Sequence, residues 1–294
     1  MRRVLKVVGG VLLVALLGLA GVFAWAWQRS EAGLARRYAV ADPPLQLPGD
    51  AVSLARGRHL FETRGCNDCH AAGGVGALVM DAGPVVRVVA PNITPAQLAA
   101  RGYDAAAIAA AIRHGVRPDG TPLVFMPSHD YATLGDEDTA ALVAYLATLP
   151  DSGHEPGAIE VRPLGRVLYA LGRLPLLPAE MIDHAPRERQ APPVGETIDY
   201  GRYVAAVCTG CHGADFAGGA PLALGAPPVA NLTPAALGDW RESDFFRVMR
   251  EGVRPDGRAL HPMMPWKAFS TMTETELRAI WLHLRSLPPV ASPE

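Results

Sequence analysis

Two pentapeptides carry most of the chemistry in this sequence: Cys66-Asn67-Asp68-Cys69-His70 and Cys208-Thr209-Gly210-Cys211-His212. A Cys-x-x-Cys pair alone serves a redox dithiol, half of a zinc site or covalent haem attachment. The histidine after the second cysteine favours the last. Two thiols add to the two vinyl groups on one edge of a haem, and the adjacent imidazole supplies the iron with a proximal nitrogen. A redox dithiol has no use for that histidine. A shared zinc site would join Cys66 to Cys208 across 142 residues, far beyond the spacing of ordinary zinc ribbons. The expectation is two covalently bound haem c groups. They would consume all four cysteines and leave none for disulfides, in keeping with an oxidising compartment.

The sixth iron ligand separates electron carriers from haem enzymes. Met126 lies 56 residues after His70 and Met264 lies 52 after His212, each in a Met-Pro pair within a loop. A thioether opposite histidine favours reduced iron and keeps O2 and peroxide off the metal. His70 with Met126 and His212 with Met264 are therefore the expected axial ligands. Met263 competes with Met264, because counting from Gly252 it holds the offset of Met126. Met264 is preferred for its following proline, for the aromatic five residues on (Tyr131, Phe269) and for the closing helix, which all align. Buried methionine as core filling is the bland alternative. His59, His114, His129, His261 and His283 are further candidates that would give bis-histidine haem. Arg117 and Arg254 are either donor forks for haem propionates or solvated arms of the Pro-Asp-Gly turns that follow them. Tyr103 and Trp240 read as core aromatics, and Asn92 and Asn231 as caps of short turns.

The elements that must position these residues occur twice. Gly57-Arg58-His59-Leu60 recurs as Gly201-Arg202-Tyr203-Val204, and Asn92-Ile93-Thr94-Pro95 as Asn231-Leu232-Thr233-Pro234. Gly-Val-Arg-Pro-Asp-Gly starts unchanged at Gly115 and Gly252, and Leu149-Pro150 recurs as Leu287-Pro288. Two copies of one domain explain this; a solenoid needs three or more short units. Each copy reads as helical. Asp104 caps a segment carrying Ile108 and Ile112 that stops at Gly115, and Ser243 or Asp244 starts the counterpart with Phe245, Val248 and Met249 on one face. Closing helices begin at Asp136 and Thr273. No alternating strand pattern of useful length is found, so the fold class is all-α with long loops.

Charge divides the chain. Its net charge is −2, but residues 1–49 hold six basic and two acidic groups, whereas 50–294 hold 21 and 27. That balance excludes a nucleic-acid binder. Only Lys6 and Lys267 are lysines, so ionic docking rests on arginine. The uncharged run Val7 to Trp27 would reach about 31 Å as a helix, a bilayer's hydrocarbon thickness. Its basic flank belongs on the cytoplasmic side and its tryptophans at the opposite interface. A cleaved signal peptide competes, since Ala24-Trp25-Ala26 formally fits a small-x-small site. The expected organisation is an anchor or signal peptide over 1–27, a loose connector over 28–49, and a first domain over 50–150. A proline-rich linker over 151–195 and a second domain over 196–289 follow. The linker's amphipathic piece, Leu164 to Leu174, reads as a helix packing the two domains together, or as a membrane-surface helix helped by Arg166 and Arg173.

These motifs resemble class I cytochrome c domains, in particular the cytochrome subunits of membrane-bound alcohol and gluconate dehydrogenases. The resemblance spans nearly all of 50–289. It implies tandem class I cytochrome c domains, each a small helical wrap around one haem, with the His/Met pairs above carried over as ligands. Those subunits typically have three haem domains and this chain has two. The expected function is a membrane-anchored dihaem cytochrome c that relays single electrons in a periplasmic respiratory chain. Such a protein is a carrier rather than an enzyme, held by one span in a bacterial cytoplasmic membrane. Its partners would be a dehydrogenase or quinol-oxidising complex on one side and an oxidase or soluble cytochrome on the other, with no nucleic acid. A cytochrome subunit of a larger dehydrogenase or haem-copper oxidase is the alternative. A dihaem peroxidase or sulfur-compound dehydrogenase would need an open or differently ligated iron, which the paired Met-Pro argues against.

Overall fold

Nothing charged interrupts the apolar N-terminal run, and the helix it forms does not stop where the run does. In the computed structural model, which describes residues 1–221 and 225–293, helix α1 spans Arg2–Leu34. Thirty-three residues correspond to about 50 Å, well beyond a bilayer core. About half of the chain is helical (49%). The first copy contains α2 (Ala51–Thr63), α3 (Cys66–His70), strands β1 (Ala77–Asp81) and β2 (Val86–Ala90), α4 (Pro95–Ala100), α5 (Ala105–His114), α6 (Ser128–Tyr131) and α7 (Asp136–Leu146). Then come β3 (Glu160–Val161) and α8 (Pro163–Ala170). The second copy contains α9 (Ile198–Ala205), α10 (Thr209–His212), α11 (Pro234–Leu237), α12 (Glu242–Glu251), α13 (Trp266–Phe269) and α14 (Glu274–Ser286).

The last turns of α1 replace the start of the expected loose connector, because they have a partner. Ala26, Ser30 and Gly33 are buried. The Arg166 guanidinium of α8 sits 3.9 Å from the Trp27 ring centre and donates to Ser30 Oγ (3.1 Å) and Glu31 Oε1 (2.6 Å). The linker helix thus packs on the N-terminal helix, not between the two copies, and it ends four residues short of the expected Leu174. Residues 35–49 are extended yet pinned. Tyr38 N–H donates to the Gly120 carbonyl (2.9 Å), and the Asp42 carboxylate bonds His114 (2.9 Å) and Arg189 (2.7 Å).

In each copy the first and closing helices cross at a glycine. A Cβ on Gly57 would lie 2.0 Å from the Ala141 carbonyl oxygen, and one on Gly201 1.9 Å from that of Ala279. Only glycine lets the backbones approach so closely, which explains its recurrence in the Gly-Arg tetrapeptides. The expected caps form. Asp104 accepts from Ala107 N–H (2.8 Å), Thr273 caps α14 in a capping box with Glu276, and Gly115 and Gly252 end α5 and α12 in the left-handed region. In α12 the N-cap is Arg241, and Asp244 Oδ2 accepts from its N–H.

One element has no forecast in the sequence: an antiparallel sheet in the order β1-β2-β3. Val86-Arg87-Val88-Val89-Ala90 is buried at four of five positions. Such a strand reads as a continuous apolar run and carries no period of two.

The copies pack with a reciprocal pattern. Tyr203 of the second donates to Asp138 on α7 of the first (2.6 Å), while His59 of the first bonds Glu276 on α14 of the second (2.8 Å). Arg56 spans both acids, bonding Asp138 twice (2.8 and 2.9 Å) and lying 3.5 Å from Glu276. His59 and Tyr203 hold equivalent places in the repeat, and so do Asp138 and Glu276, so the contact is self-complementary in the manner of a two-fold interface.

Candidate metal centres

One helical turn carries each pentapeptide. Cys66 and Cys69 lie three apart in α3, hence on one face, and His70 follows at the turn's end. In the second copy Cys208 caps the turn α10, which holds Cys211 and His212. No two of the four cysteines are joined in a disulfide. Burial pushes the Cys66 and Cys208 thiols up to about 12, so neither resembles the low-pKa thiolate of a redox dithiol.

Both histidines are oriented by the same device. His70 Nδ1–H donates to the Pro91 carbonyl at 2.8 Å, and His212 Nδ1–H to the Ala230 carbonyl at 2.8 Å. That bond fixes the tautomer and leaves Nε2 with its lone pair free, the arrangement that second-shell partners impose on metal-binding histidines. Burial holds both imidazoles below the usual histidine pKa, against the opposing effect of the carbonyl bond, and so favours the neutral, ligating form.

The accepting carbonyls immediately precede Asn92 and Asn231, whose role is larger than a local cap. Asn92 Oδ1 accepts from Thr94 N–H (2.9 Å), while its Nδ2 donates to the carbonyls of Ser152 (2.9 Å) and His154 (3.0 Å), beyond α7. Asn231 Oδ1 accepts from Thr233 N–H (2.8 Å), and its Nδ2 donates to the Val290 carbonyl (2.7 Å), beyond α14. Each amide ties the histidine's carbonyl partner to the segment after the closing helix. The recurrence of Asn-(Ile/Leu)-Thr-Pro was the available signal, and its long-range half was not legible.

Each Met-Pro makes a tight turn. Ser128 N–H donates to the Met126 carbonyl and Trp266 N–H to the Met264 carbonyl, both at 2.8 Å, across prolines at φ −78°, ψ 54° and φ −80°, ψ 49°. These are inverse γ-turns. Met126 borders the apolar cluster that also meets Cys66, Ile93 and Ile108, and Met264 the cluster that meets Cys208, Leu232 and Phe246. Met263 stands 43% exposed. Of the competing histidines, His59 is engaged by Glu276, and His114 is fully buried against Asp42 and His184. His129 lies 3.5 Å from Asp130, His261 is exposed, and His283 is buried edge-on to Phe216.

Arg117 and Arg254 occupy matching turns. Their N–H groups donate to the Thr121 and Arg258 carbonyls at 2.8 Å. Arg117 Nη1 turns back onto the Pro122 carbonyl, whereas Arg254 Nε makes no hydrogen bond among the described residues and lies 3.8 Å from Asp256 Oδ2. Sequence reading missed Arg64 and Asp130, and used Tyr131 and Tyr203 only as marks of the repeat; all four line one crevice beside the second pentapeptide. Their signal was only that nothing like Arg64 precedes Cys208, where Ala206 stands.

These residues fit a haem in each copy: two thiols on one helical turn, a neutral imidazole with Nε2 available, and a methionine on the same apolar cluster.

Comparison with known proteins agrees. Residues 52–146 match the family model described as cytochrome C oxidase, cbb3-type, subunit III, and residues 199–288 the model described as cytochrome c. The chain is 28% identical over 319 aligned positions to the diheme cytochrome c-type protein of Cereibacter sphaeroides, covering 99% of this chain and 100% of that one. It is 27% identical over 281 positions to the fructose dehydrogenase cytochrome subunit of Gluconobacter japonicus, covering 85% of this chain and 56% of the relative. The alcohol dehydrogenase (quinone) cytochrome c subunit of Gluconacetobacter polyoxogenes is 32% identical over 109 positions, 33% of this chain and 23% of its own length. The chain thus spans about half of one of these dehydrogenase subunits, and the match covers about a quarter of the other.

Proposed function

This chain belongs to the dihaem cytochrome c family, and from that premise we propose that it carries single electrons at the outer face of the cytoplasmic membrane without making or breaking bonds in a substrate. It has two covalently bound haem c groups and an N-terminal apolar helix, and it is homologous to cytochrome subunits of membrane dehydrogenases. When bound, each haem supplies a one-electron couple. The chain's residues do the rest. Cys66 with Cys69 and Cys208 with Cys211 hold the groups as thioethers. His70 and His212, each locked by its carbonyl, would supply Nε2 as a ligand to the iron of their copy's haem. Met126 and Met264 would supply sulfur ligands, which favour the reduced state and keep peroxide off the metal. Arg117 and Arg254 would be the donors to haem propionates. The observation that carries this reading is the identical 2.8 Å imidazole–carbonyl lock in two pentapeptides, each beside a Met-Pro turn of its own copy.

The anchor reading rests on α1, whose apolar surface is exposed as far as Trp25. Since its last turns are docked on α8, the haem-bearing part stands on a fixed stalk rather than a loose tether. A role as the cytochrome subunit of a larger dehydrogenase or oxidase is the second reading. It is supported by the likeness of the first copy to cytochrome C oxidase, cbb3-type, subunit III, and of the chain to the fructose and alcohol dehydrogenase cytochrome subunits.

Fractionation and turnover test both readings. The full chain should stay with membranes through alkaline wash, contain two haems, and exchange electrons with a one-electron mediator. Copurification of a dehydrogenase or oxidase in stoichiometric amount selects the second reading. Turnover of peroxide or thiosulfate well above free haem, or a fully soluble chain, would contradict the first.

A further inference from the structure

Between the two haem-attaching turns lies a buried cation that no carboxylate neutralises directly. Arg64 follows the last residue of α2 and precedes Cys66 by two; it is 5% exposed. Its carbonyl accepts from Tyr131 O–H (2.8 Å), and its guanidinium lies 5.9 Å from the Tyr203 ring centre. Nη1 donates to the Val204 carbonyl of the second copy (2.5 Å), and Nε is buried with no partner. Arg64 makes no ion pair among the described residues. Burying a guanidinium this way is costly unless other charge compensates.

The surroundings belong to both sites at once. Arg64, Asp130, Tyr131, Tyr203, Ala206 and Val207 line one crevice, and the last two lead directly into Cys208. From the first copy, Asp130 rests on the second copy's attachment turn: a Cβ on Gly210, between Cys208 and Cys211, would lie 2.5 Å from Asp130 Oδ2. Tyr131 is packed beside Cys66 and Cys69.

We propose that Arg64 is a positioning residue common to both haem sites: one buried guanidinium that holds the two attachment segments side by side and raises the reduction potential of both haems. This rests on the dihaem reading above. Reduction adds one electron and no proton at an iron, so the site becomes more negative by one charge. A cation fixed in poorly screened surroundings favours that state. Because Arg64 sits between the cysteine pairs, an electron on either haem benefits. Direct exchange across the crevice leaves one iron oxidised and the other reduced, with nothing else consumed.

Optical redox titration of the full chain in detergent, at pH 6, tests this. Asp130, whose carboxyl burial pushes up to about 7, is mainly protonated there. Arg64→Leu should move both midpoints to lower potential, Arg64→Lys should leave both near their original values, and the surface change Arg187→Leu, at an exposed linker residue paired with Asp183, should move neither. A shift of one midpoint only, or of none, overturns the proposal. Should Arg64→Leu lose haem, the unmutated chain still decides. In half-reduced protein, haem-methyl proton resonances should appear at averaged positions because the haems exchange electrons within the chain. Separate oxidised and reduced positions would refute the side-by-side arrangement. Fewer than two haems in the unmutated chain would instead overturn the dihaem reading itself.

Discussion

Residues 71–91 of the first copy and 213–230 of the second connect the same two landmarks, the attachment turn and the Asn-Thr-Pro segment, by different means. The first connection is a hairpin, β1 with β2, extended by β3 from the linker. In the second, among the described residues, Gly219 and Val229 form an isolated antiparallel bridge. The carbonyl at the end of each nevertheless meets its imidazole at 2.8 Å. Amino acids between the landmarks are therefore free to build other surfaces, provided the last carbonyl arrives. In the first copy they build one: the turn before β2 packs on α8, where a Cβ on Gly165 would lie 2.1 Å from the Val85 carbonyl, and α8 in turn grips α1. The copies agree where the metal is held and differ where the first is attached to the N-terminal helix.

That division is open to attack at several strengths. The largest effect belongs to the thioethers. Replacing Cys66 and Cys69 by alanine should remove one haem of two and leave the second copy's spectrum intact, and the converse should hold for Cys208 and Cys211. Pyridine haemochrome absorbance per chain reads this, and loss of both haems from one lesion would show that the copies do not mature independently.

Next comes the interface. Glu276 is 2% exposed and its carboxyl is held down at about 2: burial pushes it up, but the His59 bond, the Thr273 N–H and Arg56 outweigh that. Its folded pKa is depressed below the ordinary 4.5. The stabilisation is therefore present above 4.5 and is lost as pH falls from there towards 2. Glu276→Gln should cost about 3 kcal/mol by leaving His59 and Arg56 short of a counter-charge, and should flatten acid unfolding in that window. Urea melts at pH 7 and pH 3 measure both, and an unchanged acid limb would remove this pair from the account.

Gly57→Ala and Gly201→Ala each place a methyl group against a helix carbonyl and should cost about 2 to 3 kcal/mol in equal measure. A large inequality in denaturant midpoint would mean that the two helix crossings are not equivalent. The smallest effect is that of Asn92→Ala or Asn231→Ala, about 1 to 2 kcal/mol each for the lost amide bonds. Only the midpoint potential of the same copy's haem should move, because only that histidine's carbonyl loosens.

What could be read from the amino acids alone was local and repeated. The pentapeptides, the left-handed Gly115 and Gly252 and the Met-Pro turns each involve neighbours in the chain and occur in duplicate, while the Asp104 and Thr273 caps are local but belong to one copy each. What escaped was non-local or lacked a period. Gln28 to Leu34 look like connector because the arginine that fixes them lies more than 130 residues away. His59 and Glu276, 217 residues apart, read as unrelated polar residues until the copies are packed. Val86 to Ala90 hide a strand because both faces are covered. Arg64 was invisible for the opposite reason: it breaks the repeat, and its second-copy contact is to a backbone carbonyl, which no side-chain pattern announces.

The central claim is that one haem domain occurs twice, each copy with its own histidine and methionine on iron. The most direct measurement is the weak absorption at the red edge of the visible spectrum that a methionine sulfur gives when bound to oxidised haem iron. The account predicts its presence in the unmutated protein, the loss of about half of it in Met126→Ala and of the other half in Met264→Ala, and its survival in Met263→Ala. Absence of the band from the unmutated protein, or its persistence in Met264→Ala with loss in Met263→Ala, would contradict the account.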